Sequence, residues 1–132
     1  MNLWGHTCHA LSYLDQDYII AIGGYGPGPN TIQKDSEIIN NSKICKHQNT
    51  IHHLIRTNNQ WSEHWMQYNS EITLQGHASC MLNPTTIGVF GGKSSHDALH
   101  LYSLENKSIS SANVNGIPPC SRWDHSFDFY CR

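Results

Sequence analysis

Long apolar runs are absent from this sequence. Its most hydrophobic stretch, Tyr18-Ile19-Ile20-Ala21-Ile22, is five residues long, against the roughly 18 that a membrane-spanning helix needs. The amino end, Met1-Asn2-Leu3-Trp4-Gly5-His6, has neither a basic segment nor an apolar core of signal-peptide length. A soluble, cytoplasmic chain with no membrane partner is the expectation. Charge is also scarce: 14% of residues are charged, and eight basic against ten acidic side chains leave a formal charge of −2. That balance excludes a strongly basic nucleic-acid surface and an acidic solvating tail. The five cysteines (Cys8, Cys45, Cys80, Cys120, Cys131) are odd in number and contain no Cys-x-x-Cys, which argues for reduced thiols rather than a disulfide framework. Aromatics are not lacking. Four Trp, six Tyr and three Phe in 132 residues are enough to build the core of one domain and disfavour disorder.

The chain repeats itself. Residues 9–24, HALSYLDQDYIIAIGG, lie over residues 77–92, HASCMLNPTTIGVFGG, without a gap at an offset of 68, with six of sixteen positions identical. The identities are His9/His77, Ala10/Ala78, Leu14/Leu82, Ile19/Ile87, Gly23/Gly91 and Gly24/Gly92. A third copy opens at His125, 48 residues after His77. A basic period near 48, with about twenty extra residues inserted within 25–53 of the first copy, accounts for both spacings.

Each copy reads as short strands joined by turns. An apolar run, a polar turn (Asp15-Gln16-Asp17 or Asn83-Pro84-Thr85) and a branched apolar run ending in Gly-Gly form a hairpin signature. A third strand is predicted over Ile51–Thr57 or Ala98–Leu104. A fourth is fainter, over Gln60–Trp65 or Ser108–Val114, and 62–66 could equally form one helical turn. Four strands per 40–50 residues is the arithmetic of a propeller blade.

The paired glycines after an apolar strand, Trp61 seven residues past Leu54, and Pro118-Pro119-x-x-Arg122-x-x-His125 resemble kelch repeats. The glycines suit strand ends that turn through positive φ and admit close backbone, and the tryptophan suits a wedge between stacked sheets. The second copy has Ser108 or Ile109 where the first has Trp61. The runs Trp4-Gly5-His6-Thr7, Ile22-Gly23-Gly24-Tyr25-Gly26, Phe90-Gly91-Gly92-Lys93-Ser94 and Arg122-Trp123-Asp124-His125-Ser126 further resemble the C-terminal kelch region of the tRNA wybutosine-synthesizing, leucine carboxyl methyltransferase 2-like family. That resemblance implies S-adenosylmethionine-dependent methylation of a modified guanosine in tRNA, with the cofactor held by an N-terminal α/β domain. These 132 residues contain no Gly-rich strand–helix turn followed by an acidic residue, so no cofactor is expected on this chain.

Other constellations carry little chemistry. Cys45-x-His47 with His52-His53 has metal-ligand residue types at a spacing that matches no common finger, and adjacent histidines on a strand point to opposite faces. His9, His77 and His125 recur with the repeat and read as hydrogen-bonding strand residues. Gly23-Gly24-Tyr25-Gly26-Pro27-Gly28 has glycines enough for a phosphate loop but is followed by no helix-forming segment. Cys8 beside His9 on a strand would diverge, and Asp15/Asp17 and Asp124/Asp128 fall in turns and strand starts. The cations Lys34, Lys43, Lys46, Arg56, Lys93, Lys107, Arg122 and Arg132 are scattered.

The reading is an all-β, partial kelch-type β-propeller of about two four-stranded blades plus the start of a third. Its units are 5–74 (with insertion 25–50), 75–120 and 121–132. The structural kelch positions are His9, Gly23, Gly24, Trp61, His77, Gly91, Gly92, Arg122 and His125. No catalytic, cofactor or metal residues are assigned. The segment would serve as a substrate- or partner-binding module of a methyltransferase-like protein, with tRNA reached only through the full-length molecule, or as a general protein-interaction scaffold. Two blades cannot close a ring, so either the chain is a piece of a longer protein, the preferred reading, or other chains supply the missing blades; marginal stability and edge association are expected.

Overall fold

A computed structural model describes residues 4–27, 45–47, 49–68, 74–93 and 98–130. Most of the insertion 25–50 therefore lies outside the described residues. Ten strands and no helix occur among those described. They are β1 (Thr7–Tyr13), β2 (Gln16–Ile22), β3 (Tyr25–Pro27), β4 (Cys45–His47), β5 (Thr50–Thr57), β6 (Gln60–Gln67), β7 (Ala78–Asn83), β8 (Thr86–Phe90), β9 (Leu99–Ser103) and β10 (Ser108–Ser111). β1-β2-β5-β6 and β7-β8-β9-β10 form two four-stranded antiparallel sheets, and β3-β4 form a small ribbon. The described residues are all-β and propeller-like, with two blades that do not close into a ring. No helix among the described residues is long and apolar enough to cross a membrane.

Turn chemistry fixes the registers. Leu14-Asp15 (φ 50°, 59°) and Asn58-Asn59 (φ 51°, 61°) each join strands across two residues at positive φ, the conformation whose twist suits a tight hairpin. The first turn thus sits one residue earlier than the polar triplet suggests: Gln16 and Asp17 already pair within β2. Pro84-Thr85 turns differently. Asn83 Oδ1 accepts from Thr85 N at 2.9 Å, and the register slips between Met81 and Asn83. The segment 62–66 is strand throughout, paired residue for residue with β5, and β10 ends at Ser111.

Alternation decides the packing. In β1, Thr7, His9, Leu11 and Tyr13 are half-buried while the residues between them are exposed. The buried cluster joins Ile20, Ile22 and Ile51 of the first sheet to Ile87, Val89 and Tyr102 of the second, closed by Tyr68, Leu74 and Leu104. Burying side chains of this size contributes about 1.5–3 kcal/mol each. The sheets meet face to face, with β1 beside β7 along the inner edge.

Candidate functional site

The two glycine doublets occupy the same corner of successive blades. Gly23 and Gly24 have φ of 63° and 103°, and Gly91 and Gly92 have 79° and 104°. Gly24 N donates to Leu74 O at 2.5 Å, and Gly92 N donates to Arg122 O at 2.7 Å. Each acceptor lies three residues before a histidine of the next unit, His77 or His125. A Cβ on Gly23 would stand 2.5 Å from Leu74 O and 3.2 Å from the His77 ring. A Cβ on Gly91 would collide with the His125 ring and Arg122 O. Glycine is required twice over, by conformation and by the residue roofing it.

A hydrogen-bonded ladder links the units at their inner ends. Gly76 N donates to Gly5 O (2.8 Å) and Asp124 N to Gly76 O (2.7 Å). All three rungs have positive φ: Gly5 69°, Gly76 68° and Asp124 54°. Tyr25 N to Trp4 O and Lys93 N to Gln75 O repeat one another, both at 2.8 Å. In space, therefore, His6, His77 and His125 are equivalent, each following a rung. His9 stands three residues farther along, so the gapless pairing of His9 with His77 is corrected here. The cause is the first hairpin: Thr7 pairs with Ile22 but its counterpart Ala78 pairs with Phe90, three residues fewer. The Trp-x-His pattern of Trp4-Gly5-His6 and Trp123-Asp124-His125 carries the signal that identifies His6.

Hydroxyls and imidazoles knit the inner strands together. His77 Nε2 hydrogen-bonds with Thr7 Oγ1 (2.8 Å), Ser79 Oγ donates to that same oxygen (2.6 Å), and His9 Nε2 hydrogen-bonds with Ser79 Oγ (2.7 Å). Burial, with the neighbouring His6, His125 and His9 adding to it, pushes the His77 pKa down to about 4. Burial also lowers His9. His6 Nδ1, His77 Nδ1 and both His125 ring nitrogens are buried with no hydrogen-bond partner. These imidazoles pack where one blade meets the next.

His52 and His53 diverge as adjacent strand residues do. His53 Nε2 meets Tyr102 Oη of the second sheet at 2.5 Å, and burial takes its pKa down to about 4. His52 Nδ1 meets Glu63 at 2.9 Å on the opposite side. There burial lowers the His52 pKa, while Glu63 partly offsets it. His52 and His100, 48 residues apart and both buried, pair with corresponding residues of β2 and β8, Ala21 and Val89. Their separation equals the blade period, and that spacing is the signal in the sequence that marks them. The side chains of Cys45 and His47 lie outside the described residues. Among those described, no group of three or more His, Cys, Asp or Glu is placed to hold a metal. Cys8, Cys80 and Cys120 are free thiols, and burial raises the pKa of Cys8 and Cys80, away from an activated thiolate. The segment after Gly24 enters β3 rather than a helix.

Trp61 does not fill the wedge between the two described sheets. It pairs with Arg56, whose guanidinium lies 5.8 Å from its ring, and 47% of Trp61 is exposed. With Trp65, 40% exposed, it stands on the side of the first sheet that carries Ile19, Leu54 and Ala21. The corresponding side of the second sheet, bearing Ile87, Val89 and Tyr102, is packed in the core. Arg56 is held by Asp17. Arg122 reaches Cys120 O (3.1 Å) and the Cys120 sulfur (3.5 Å) beside the Gly91 corner. Two features thus combine: a repeated Gly-Gly/His corner inside, and an aromatic sheet face outside. Compared with known proteins, the chain matches no family model and no curated protein.

Proposed function

We propose that this chain is a non-catalytic kelch-type propeller segment of a tRNA wybutosine-synthesizing methyltransferase-like protein, serving as its substrate- or partner-binding module. The observation that supports the reading is the corner built twice, Gly23-Gly24 under His77 and Gly91-Gly92 under His125, in register with the motifs that carry the resemblance. Blade corners of this kind hold a rigid frame from which connecting loops project, and binding residues on a propeller belong to those loops. S-adenosylmethionine is assigned to a catalytic domain outside these residues.

A general kelch interaction scaffold is the second reading. It is favoured by the exposed Trp61 and Trp65 and by the pairing of Arg56 with Asp17, which leaves the β5–β6 face aromatic rather than basic, as suits a protein partner. Sequencing the transcript through the codon for Met1 separates the two. An in-frame α/β domain with a methyl-donor site supports the methyltransferase reading. A helical oligomerisation domain in that place overturns it in favour of the scaffold.

A further inference from the structure

Three side-chain hydrogen bonds cross between the first two blades in one unbroken line. They join His9 Nε2 to Ser79 Oγ, Ser79 Oγ to Thr7 Oγ1, and Thr7 Oγ1 to His77 Nε2, at 2.7, 2.6 and 2.8 Å. Among the described residues nothing else bonds these two hydroxyls or these two ring nitrogens. Each bond holds one hydrogen, and each hydroxyl owns one. Ser79 gives its hydrogen to Thr7, so its oxygen receives one from His9, and Thr7 passes its own to His77. His9 therefore carries its hydrogen on Nε2 and His77 carries its hydrogen on Nδ1. That tautomer leaves the His77 Nδ1–H buried without an acceptor, a cost that the line imposes on the ring.

The two ends of the line answer a proton differently. His9 is half-buried, and its Nδ1 is not among the buried, unpartnered atoms. A proton reaching His9 enters at Nδ1 and leaves Nε2–H and all three bonds in place. A proton reaching His77 can enter only at Nε2, which already accepts from Thr7. Four hydrogens would then compete for three bonds, and the line must break. We propose that these four side chains form a proton-discriminating joint between the first two blades, which holds when His9 becomes charged and opens when His77 does. His77 is faced by His6 and His9 from the first unit and by His125 from the third; burial, and then these imidazoles, hold off its proton. The carboxylates on that side, Asp124 beside Gly76 and Asp128 near Cys80, make no hydrogen bond to either ring. Burial keeps the thiols of Cys8 and Cys80 neutral. The joint lies within strands of the two complete sheets and is independent of the family reading above.

The test uses the whole chain, labelled with nitrogen-15, and two-bond proton–nitrogen correlation of the imidazoles, which separates the two tautomers from the imidazolium. At pH 7.5 His9 is expected as Nε2–H and His77 as Nδ1–H. As pH falls, His9 should charge first while the His77 ring nitrogens keep their neutral shifts. The nuclear Overhauser contact between the Thr7 methyl and the His77 ring should persist through that first transition and be lost with the second. Ser79→Ala cuts the line and frees Thr7 to accept, so His77 should shift to Nε2–H, the form that leaves no buried N–H unpaired. Four results overturn the proposal: His77 as Nε2–H or His9 as Nδ1–H in the parent, His77 charging before or together with His9, loss of the Thr7–His77 contact in the His9 transition, or His77 remaining Nδ1–H in Ser79→Ala, its tautomer then being set by its own pocket.

Discussion

Acid should unfold this protein in a window set by two histidines. His53 and His77 are 6% and 5% exposed, and both are held near pKa 4 in the fold against about 6.5 in an unfolded chain. Between those values the unfolded state binds more protons, so stability falls as pH falls below 6.5, and the loss is complete below 4. Holding each imidazole near 4 rather than 6.5 corresponds to about 3 kcal/mol at its limit. From pH 7.5 to 5.5 the pair together removes about 3 kcal/mol, a large part of the 5–15 typical of a domain. Burial lowers His9 and His52 as well, which adds in the same direction. Asp17, whose pKa is lowered by the Ser12 hydroxyl and then by Arg56, acts only below the ordinary carboxylate range and does not confuse the window. Urea unfolding followed by tryptophan fluorescence at half-unit pH steps measures the slope. His77→Gln should roughly halve it. Stability flat from pH 7.5 to 5.5, or a slope that His77→Gln leaves untouched, would refute the neutral-imidazole interface.

Two further predictions concern single groups. Leu14 sits at φ 50° and is 81% exposed, so Leu14→Asn should raise stability by about 0.5–1 kcal/mol in thermal melts, since Asn adopts this conformation readily and no burial is lost. Tyr102 is fully buried, with its hydroxyl on His53 Nε2. Tyr102→Phe should cost about 1–3 kcal/mol in urea titrations by leaving that imidazole nitrogen unpaired, and an unchanged midpoint would contradict the bond.

The sequence made the sheets legible and the contacts between them much less so. Glycine doublets at a fixed offset mark strand ends because no other residue turns there without strain, and alternation such as that of β1 places a face. The choice between His6 and His9 was not readable in the same way. A gapless match of His-Ala dipeptides favours His9, whereas the ladder through Gly5, Gly76 and Asp124 that identifies His6 depends on hydrogen bonds between residues 71 and 48 positions apart. The Thr7–His77 and His9–Ser79 bonds are equally non-local. The side of the sheet that Trp61 takes was hidden for a related reason: its distance along the strand gives the position, but the side follows from the β5 register.

The repeated corner also implies a directional dependence. Each doublet is closed not by its own sheet but by the segment that leads into the next one, Leu74 and His77 over Gly23, Arg122 and His125 over Gly91. The first corner joins two complete sheets through the shared core, and the second joins a sheet to a segment without strand partners. Equal substitutions should therefore have unequal reach. Gly23→Ala puts a methyl 2.5 Å from Leu74 O at φ 63° and should lower global stability by about 2–4 kcal/mol, through backbone strain and a displaced interface. Gly91→Ala meets a tighter contact, yet should mainly release 122–130, seen as faster amide exchange there with the main transition nearly kept. Gly116→Ala, at φ 92° with nothing within 4 Å, isolates the conformational cost of about 1 kcal/mol. If Gly23→Ala behaved like Gly116→Ala, the corner would not be what couples the sheets. If Gly91→Ala instead lowered the main transition as far as Gly23→Ala, the third segment would be as integral to the fold as the second sheet.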